Sequence, residues 1–202
     1  MKKHLVLLGF AITAVMMYTG CGGAVKYPNY YTLHIQPPVD PPAREGVRVS
    51  LAVREFRSPT YLRQGAIVYK TSPEQIGFYN YHRWAVDPRE FVTNAVAERL
   101  RASGNFTQVK LYDGRSDVDY VVSGRLDNLE EIDYEGGVKV EVAISAQMTN
   151  LATGVTVWTN DVSEVGTVGG REVHAVVAQM NATMDHAIEN LLTPGPLVAQ
   201  KN

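Results

Sequence analysis

The sequence predicts a single α+β domain, in which a mostly antiparallel sheet carries two helices packed on one of its faces. Three observations lead to this class. Segments with strand-like alternation occur in two groups, and each group is followed by one segment with helical periodicity. The alternation is most regular over residues 138–148, where every second residue is apolar. Runs of strands broken by single helices are typical of α+β proteins.

The first twenty residues are typical of an export signal. A basic start at Lys2 and Lys3 precedes an apolar stretch, residues 5–17, which is too short for a comfortable transmembrane helix. Small residues then lead to Cys21, the single cysteine of the chain. This ending is similar to a lipobox, although Tyr18 replaces the usual aliphatic residue. We expect residues 1–20 to be a lipoprotein signal peptide and Cys21 to be lipidated. An ordinary signal followed by an incidental cysteine is the alternative.

The residue after Cys21 indicates the destination of the protein. In Gram-negative sorting rules, which we apply here by resemblance, an aspartate at this position retains a lipoprotein in the inner membrane. Gly22 does not match that signal. Several acyl chains, each contributing roughly 0.8 kcal/mol per buried methylene, would anchor the chain stably. We therefore expect a lipid-anchored protein of the outer membrane that faces the periplasm.

The mature chain is predicted to begin with a lipidated tether at residues 21–29, followed by a domain that spans residues 30–193. Residues 30–35 form a first strand. Four prolines within residues 37–46 exclude regular structure there and predict a stiff, extended connection. Residues 47–53 alternate between apolar and other side chains, which predicts a half-buried strand.

A hairpin and a helix follow. Residues 66–70 and 76–84 read as two strands joined by a proline-containing turn. Pro88 suits the first turn of a helix, with Asp87 as its N-cap. Apolar residues then recur at three- and four-residue steps until Gly104, so the helix is expected to end at residue 102 or 103.

In the second half of the chain, strands are again followed by one helix. A short strand at residues 106–111 precedes a three-stranded antiparallel meander. The strands of the meander are residues 119–129, 138–148 and 155–165. A long amphipathic helix over residues 173–192 closes the domain, and residues 194–202 are expected to be a flexible tail.

Composition and motifs exclude several classes of function. The formal net charge is −2, and no basic cluster suggests nucleic-acid binding. With Cys21 lipidated no cysteine nucleophile remains, and the sequence has no GxSxG elbow, no HExxH zinc motif and no complete phosphate-binding loop. The five histidines are scattered. We therefore expect a protein that is not an enzyme and holds no metal or cofactor.

An acidic run and an aromatic cluster need separate interpretations. Glu130, Glu131, Asp133 and Glu135 are expected to be the solvated end of a hairpin rather than a cation site. The aromatic residues are candidates for a partner interface, because tyrosine and tryptophan combine apolar area with a polar tip. The candidates are Tyr61, Tyr69, Tyr79, Tyr81 and Trp84. A tyrosine-rich strand lying under a loop is the alternative.

Four blocks in the same order resemble the auxiliary lipoproteins of ABC-type transport systems, the paraquat-inducible C-like family. They are Tyr30–Leu33 after the lipobox, Ile67–Lys70 with the later Trp84 and Pro88, Asp119-Tyr120 with the alternating residues 138–148, and Val157-Trp158 before the last helix. The resemblance implies a partner: a periplasmic protein with MCE domains that form tunnels or rings for lipids. The lipoprotein would dock the distal end of such a tunnel or help pass lipid to the outer membrane.

Two functions from different classes stay open at this point. The first is a non-catalytic outer-membrane accessory of an ABC/MCE-type lipid transport system. The alternative is a lipoprotein regulator of a cell-envelope (peptidoglycan) enzyme, for which the same anchor and a similar α+β content are expected. Neighbouring genes for an ATPase, a permease and an MCE protein would favour the first. An envelope hydrolase is disfavoured because its motifs are absent.

Overall fold

A computed structural model describes residues 25–34, 49–115, 117–134 and 136–193, which form one α+β domain. The elements in chain order are β1 (Asn29–Tyr31), β2 (Ser50–Val53), a 3₁₀ helix (Thr60–Gln64), β3 (Ala66–Ser72), β4 (Gln75–Trp84), α1 (Pro88–Ala102), β5 (Gln108–Leu111), β6 (Tyr120–Ile132), β7 (Lys139–Asn150), β8 (Thr156–Thr167) and α2 (Val173–Leu191). The predicted class is confirmed, and so are both helices, the β3–β4 hairpin and the β6–β7–β8 meander.

Local sequence explains where α1 begins and why the 3₁₀ helix was not predicted. The carboxylate of Asp87 accepts a hydrogen bond from the backbone N–H of Arg89 at 2.9 Å, and Pro88 occupies the first turn. These are the cap and the proline that the sequence predicts. The 3₁₀ helix is five residues long, which is too short for a helical periodicity to show in the sequence.

β6 is the central strand of the eight-stranded sheet. One of its sides pairs with β7 along its whole length. On the other side of β6, two strands pair with it: β2 pairs with its beginning and β3 pairs with its end. A register shift between Leu126 and Asn128 lies where the neighbour changes. β5 extends the sheet beyond β2, β4 and β1 extend it beyond β3, and β8 lies outside β7.

The prediction of a mostly antiparallel sheet is corrected in part, because the sheet is mixed. β1 runs parallel to β4, β2 runs parallel to both β5 and β6, and β3 runs parallel to β6. Alternation of side chains indicates which face of a strand is buried but not the direction of its neighbour. A parallel pair needs a long crossover, and the segment between β2 and β5 supplies one that contains the β3–β4 hairpin and α1.

Both helices contribute to one hydrophobic core on the same face of the sheet. Their innermost side chains are Val92, Val96, Met180, Met184 and Ile188. Every second residue of β7 from Val140 to Met148 is buried against them, as the alternation predicts. Each fully buried apolar side chain of this kind contributes about 1.5–3 kcal/mol. An ion pair between Arg99 of α1 and Asp185 of α2 joins the two helices.

The opposite face of the sheet is more polar. The alternate residues of β7 and β8 on this face include Ser145, Gln147, Thr159 and Asp161, which are exposed or half-buried. This face is therefore available to a ligand or partner.

Several predictions concern residues outside the described part of the chain. These are the signal at residues 1–20, lipidation of Cys21, the proline-rich connection at residues 37–46 and the tail at residues 194–202. The first four residues of the tether lie outside it as well.

Candidate functional site

The five aromatic residues proposed for an interface occupy three different environments. Trp84 ends β4 and has 6 % of its surface exposed. Its assignment to an interface is therefore corrected, because its side chain belongs to the hydrophobic core. Tyr61, Tyr69 and Tyr79 are half-buried. Tyr81 is exposed, at 38 %, so it is the member of this set that most readily meets a partner.

The half-buried rings hold three strands together. The Tyr79 ring lies 5.0 Å from the Tyr69 ring and 5.6 Å from the His82 ring, measured between centroids. His82 in turn shares a hydrogen bond of 2.8 Å between its Nδ1 and the hydroxyl of Tyr31. These edge-on arrangements are favourable for aromatic pairs. Regular alternation in β4 would place Tyr79 and His82 on opposite faces, but register shifts against β3 interrupt it.

The C-terminal end of β6 carries two adjacent buried carboxylates. Glu130 is 0 % exposed and Glu131 is 3 % exposed. The prediction that the acidic run is a solvated hairpin end is therefore wrong for these two residues. The physical reason is that β3, which lies 60 residues earlier in the chain, pairs with β6 and covers them. No local pattern in the sequence signals a cover that arrives from so far away.

Glu130 is neutralised by residues from outside β6. The ammonium group of Lys70 forms an ion pair with its carboxylate, and the Tyr61 hydroxyl lies 3.5 Å from its Oε2. Burial, together with the charge of Glu130, raises the pKa of Tyr61 to about 12. Burial lowers the pKa of Lys70, but the hydrogen bond and charge of Glu130 raise it more, so it lies above its ordinary value. Tyr61 therefore remains a protonated donor beside Glu130 at neutral pH.

Glu131 has a hydrogen-bond partner, but no lysine or arginine among the described residues forms an ion pair with it. The hydroxyl of Tyr79 donates to its Oε2 at 2.8 Å. Burial raises the pKa of Glu131, and the charge of Asp133 raises it further; the bond from Tyr79 and the charge of Arg171 lower it only in part. Burial and the bond to Glu131 also raise the pKa of Tyr79. Glu131 is therefore a charged group whose ionised form is disfavoured by the fold.

Replacing Glu131 with glutamine is expected to raise the stability of the domain modestly at neutral pH and to have little effect in acid. Glutamine keeps the shape and still accepts a hydrogen bond from Tyr79, but it has no charge to bury. Because the folded-state pKa of Glu131 lies above its ordinary 4.5, the penalty on the folded state is present above that raised pKa and is lost as the pH falls toward 4.5. Thermal unfolding across this pH range measures the difference. Glu189→Gln, at an exposed position of α2, is the control. A stability difference that does not change with pH would contradict the assignment.

An exposed aromatic surface lies where β1 pairs with β4. We call it the aromatic edge and define it by Tyr27, Tyr30 and Tyr81, all of which are exposed. The ammonium group of Lys26 lies 4.6 Å from the centroid of the Tyr81 ring, a cation–π contact. Tyr27 and Tyr30 were not among the predicted interface residues, because only the pairing of β1 with β4 brings them near Tyr81. Exposed aromatic patches of this kind are typical of interaction surfaces.

A second feature is a polar groove of about 470 Å³ on the sheet face opposite the helices. β6, β7 and β8 form its floor, and the segment that follows β2 forms one wall. We call it the arginine groove, because Arg54, Arg57 and Arg125 line it. The sequence gives no local signal for it, since the arginines come from two segments about 70 residues apart.

Within the described ranges, no group of three or more His, Cys, Asp or Glu side chains is placed to hold a metal ion. None of the helices in that part of the chain is long and apolar enough to cross a membrane.

Comparison with known families gives one match over most of the chain. The model of the family described as ABC-type transport auxiliary lipoprotein component matches residues 31–191. This range runs from the end of β1 to the end of α2. A search of curated proteins found no match.

Solved structures with the same fold include a DUF330-family protein from Xanthomonas campestris. It is 16 % identical, with a TM-score of 0.74 over 86 % of this chain and 98 % of that one. A hypothetical protein from Chlamydia trachomatis is 7 % identical, with a TM-score of 0.55 over 77 % of this chain and 100 % of that one. At these identities the likeness concerns the fold alone.

Proposed function

Because the chain belongs to the family of ABC-type transport auxiliary lipoprotein components, we propose that it is a non-catalytic accessory of an ABC/MCE-type lipid transport system, anchored in the outer membrane and facing the periplasm. Its role would be to dock the periplasmic MCE-domain component and to aid lipid trafficking between the membranes. The single observation that carries this proposal is the family match over residues 31–191. The lipobox-like ending at Cys21, ten residues before the matched range, supports the anchor.

The aromatic edge is the proposed docking surface for the MCE-domain partner. Tyr27, Tyr30 and Tyr81 expose apolar rings with polar tips, the side-chain chemistry that is enriched at the centres of protein interfaces. The half-buried Tyr61, Tyr69 and Tyr79 would support this surface from behind through their ring contacts and their bonds to Glu130 and Glu131. Tyr79 is consequently a poor target for testing the interface, because its loss would leave a buried carboxylate without its donor.

Replacement of both Tyr30 and Tyr81 with serine is expected to weaken recovery of the MCE-domain protein by tenfold or more. Tyrosine is enriched among the hot-spot residues of interfaces, whose truncation costs about 2 kcal/mol or more, so the loss of one such contact exceeds one order of magnitude. The measurement is quantitative affinity purification of the full lipoprotein from its own membranes. Circular dichroism and thermal unfolding show that the variant folds.

Val165→Ser is the matched control, because Val165 is an exposed apolar residue of β8, away from the aromatic edge. Equal recovery of the MCE-domain protein with the folded double variant would exclude the aromatic edge as the docking surface. Recovery of a peptidoglycan synthase, without any MCE-domain protein, would favour the regulator of an envelope enzyme instead.

A further inference from the structure

Two arginines in the arginine groove are held side by side by the backbone. Arg57 and Arg125 are register partners in a parallel bridge. The N–H of Arg57 donates to the carbonyl of Gly124 at 2.9 Å, and the N–H of Leu126 donates to the carbonyl of Arg57 at 2.8 Å. Both side chains therefore leave the sheet on the face opposite the helices. Like charges in directly opposed positions destabilise a sheet, so the fold alone does not account for this pair.

Two of the three arginines are already oriented by neighbouring side chains. The Nε of Arg125 donates to the carboxylate of Asp127, which also accepts a hydrogen bond of 3.2 Å from Ser145. Within the described part of the chain, the two terminal nitrogens of Arg125 have no other hydrogen-bond partner. The guanidinium carbon of Arg54 lies 4.7 Å from the centroid of the Tyr112 ring. Stacking of this kind leaves the donors at the edge of the guanidinium group available.

Arg57 has no ion pair within the described ranges of the chain. The acidic residues that line the groove are Glu55 and Asp161. Glu55 follows Arg54 in the chain and lies 3.7 Å from Arg89 of α1, measured between the charged groups, so Arg89 partly offsets its charge. The remaining side chains of the groove are neutral hydroxyl and amide groups, among them Ser123, Gln147 and Thr159. Asp127 pairs with Arg125 and Glu55 pairs with Arg89, so Asp161 is the acidic lining residue left to oppose Arg54 and Arg57. Within the described ranges the groove therefore keeps an excess of positive charge.

We infer that the arginine groove binds a phosphate group, and specifically the phosphate of an anionic lipid headgroup. A guanidinium group matches phosphate oxygens through paired N–H donors, and such charge-assisted bonds are about twice as strong as neutral ones. A volume of about 470 Å³ admits a headgroup, while the polar lining does not suit acyl chains. The phosphate chemistry follows from the groove itself; the assignment to lipid rests on the proposed function.

The test compares the full mature lipoprotein, purified in a non-ionic detergent, with the double variant Arg57→Gln/Arg125→Gln. Native mass spectrometry counts bound phosphatidylglycerol or phosphatidylcholine, and calorimetry measures binding of inorganic phosphate. We expect the wild type to bind phosphatidylglycerol in preference to phosphatidylcholine, and the double variant to bind it at least tenfold more weakly. Arg171→Gln is the control, because Arg171 is an exposed arginine that pairs with Asp133 outside the groove.

Thermal unfolding distinguishes a binding role of Arg57 and Arg125 from a purely structural role. Relief of the opposed charges offsets the loss of the exposed Arg125–Asp127 pair, which is worth at most about 1 kcal/mol, so the melting temperature of the double variant is expected to stay within about 4 °C of the wild type. A decrease larger than that would assign the arginines to the fold and overturn the inference, as would unchanged lipid and phosphate binding. Binding of inorganic phosphate without lipid, lost in the double variant, would support the phosphate site but assign it to a soluble phosphoester. If the double variant binds phosphate and lipid like the wild type while the MCE-domain protein is still recovered, the inference about the groove is wrong but the proposed function stands.

Discussion

Replacement of Gly124 with alanine is expected to destabilise the domain by about 3 kcal/mol, at the upper end of the cost of overpacking a core. Gly124 lies in β6 beneath the Phe56 ring. A Cβ atom there would lie 2.3 Å from the Cε1 of Phe56 and 2.7 Å from the carbonyl oxygen of Ser145. Phe56 cannot easily withdraw, because its ring is fully buried and its N–H donates to Thr93 Oγ1 at 2.9 Å. Thermal unfolding should show a melting temperature lower by about 6–12 °C.

Two further variants make this expectation specific. Gly169→Ala is the control, because no heavy atom lies within 4 Å of the added Cβ; its melting temperature should be close to that of the wild type. Phe56→Leu combined with Gly124→Ala should cost less than the sum of the two single changes, because the smaller side chain leaves room for the methyl group. Strict additivity would show that the clash is not with the Phe56 ring.

Replacement of Cys21 with alanine is expected to abolish incorporation of radiolabelled palmitate completely. The acyl chains need the thiol as their attachment point, and the chain contains no second cysteine. The measurement is metabolic labelling followed by immunoprecipitation. Gly22→Ala, one residue further on, should label like the wild type. Label in the Cys21→Ala variant would place the anchor elsewhere and remove the basis for the lipobox.

Gly22 also tests the destination of the protein. Gly22→Asp should retain palmitate, because it leaves Cys21 unchanged. Its separation from the outer membrane on a density gradient would agree with the sorting rule that we applied to the wild type. A variant that still fractionates with the outer membrane would show that the rule does not govern this chain.

The sequence predicts best those parts of the fold that depend on neighbouring residues. The alternation of residues 138–148 identifies β7 and its buried face, and Asp87 with Pro88 defines the start of α1. The parallel pairing of β2 and β3 with β6 does not follow from any local pattern, since it depends on which distant segments the chain brings together. The same cause conceals the burial of Glu130 and Glu131.

The candidate sites also differ in whether they depend on neighbouring residues or on distant segments of the chain. The aromatic cluster is visible in the sequence because its members are close along the chain, but the sequence does not distinguish exposed Tyr81 from buried Trp84. That difference depends on which face of β4 meets the core, and the pairing of β4 with β3 and β1 determines the face. The arginine groove was not predicted, because Arg57 and Arg125 become neighbours only when the segment after β2 pairs with β6.

The position of β1 at one edge of the sheet limits how far an anchored domain can reach. β1 begins at Asn29, eight positions after Cys21, and an extended chain covers at most about 29 Å in that length. With Cys21 lipidated, β1 is therefore held close to the bilayer surface. β4, β3, β6, β7 and β8 follow β1 across the sheet, and at about 4.8 Å per strand β8 lies roughly 24 Å from β1. Where it is level with the start of β1, β8 then lies within about 55 Å of the bilayer surface, so a partner of the domain has to approach the membrane to meet it.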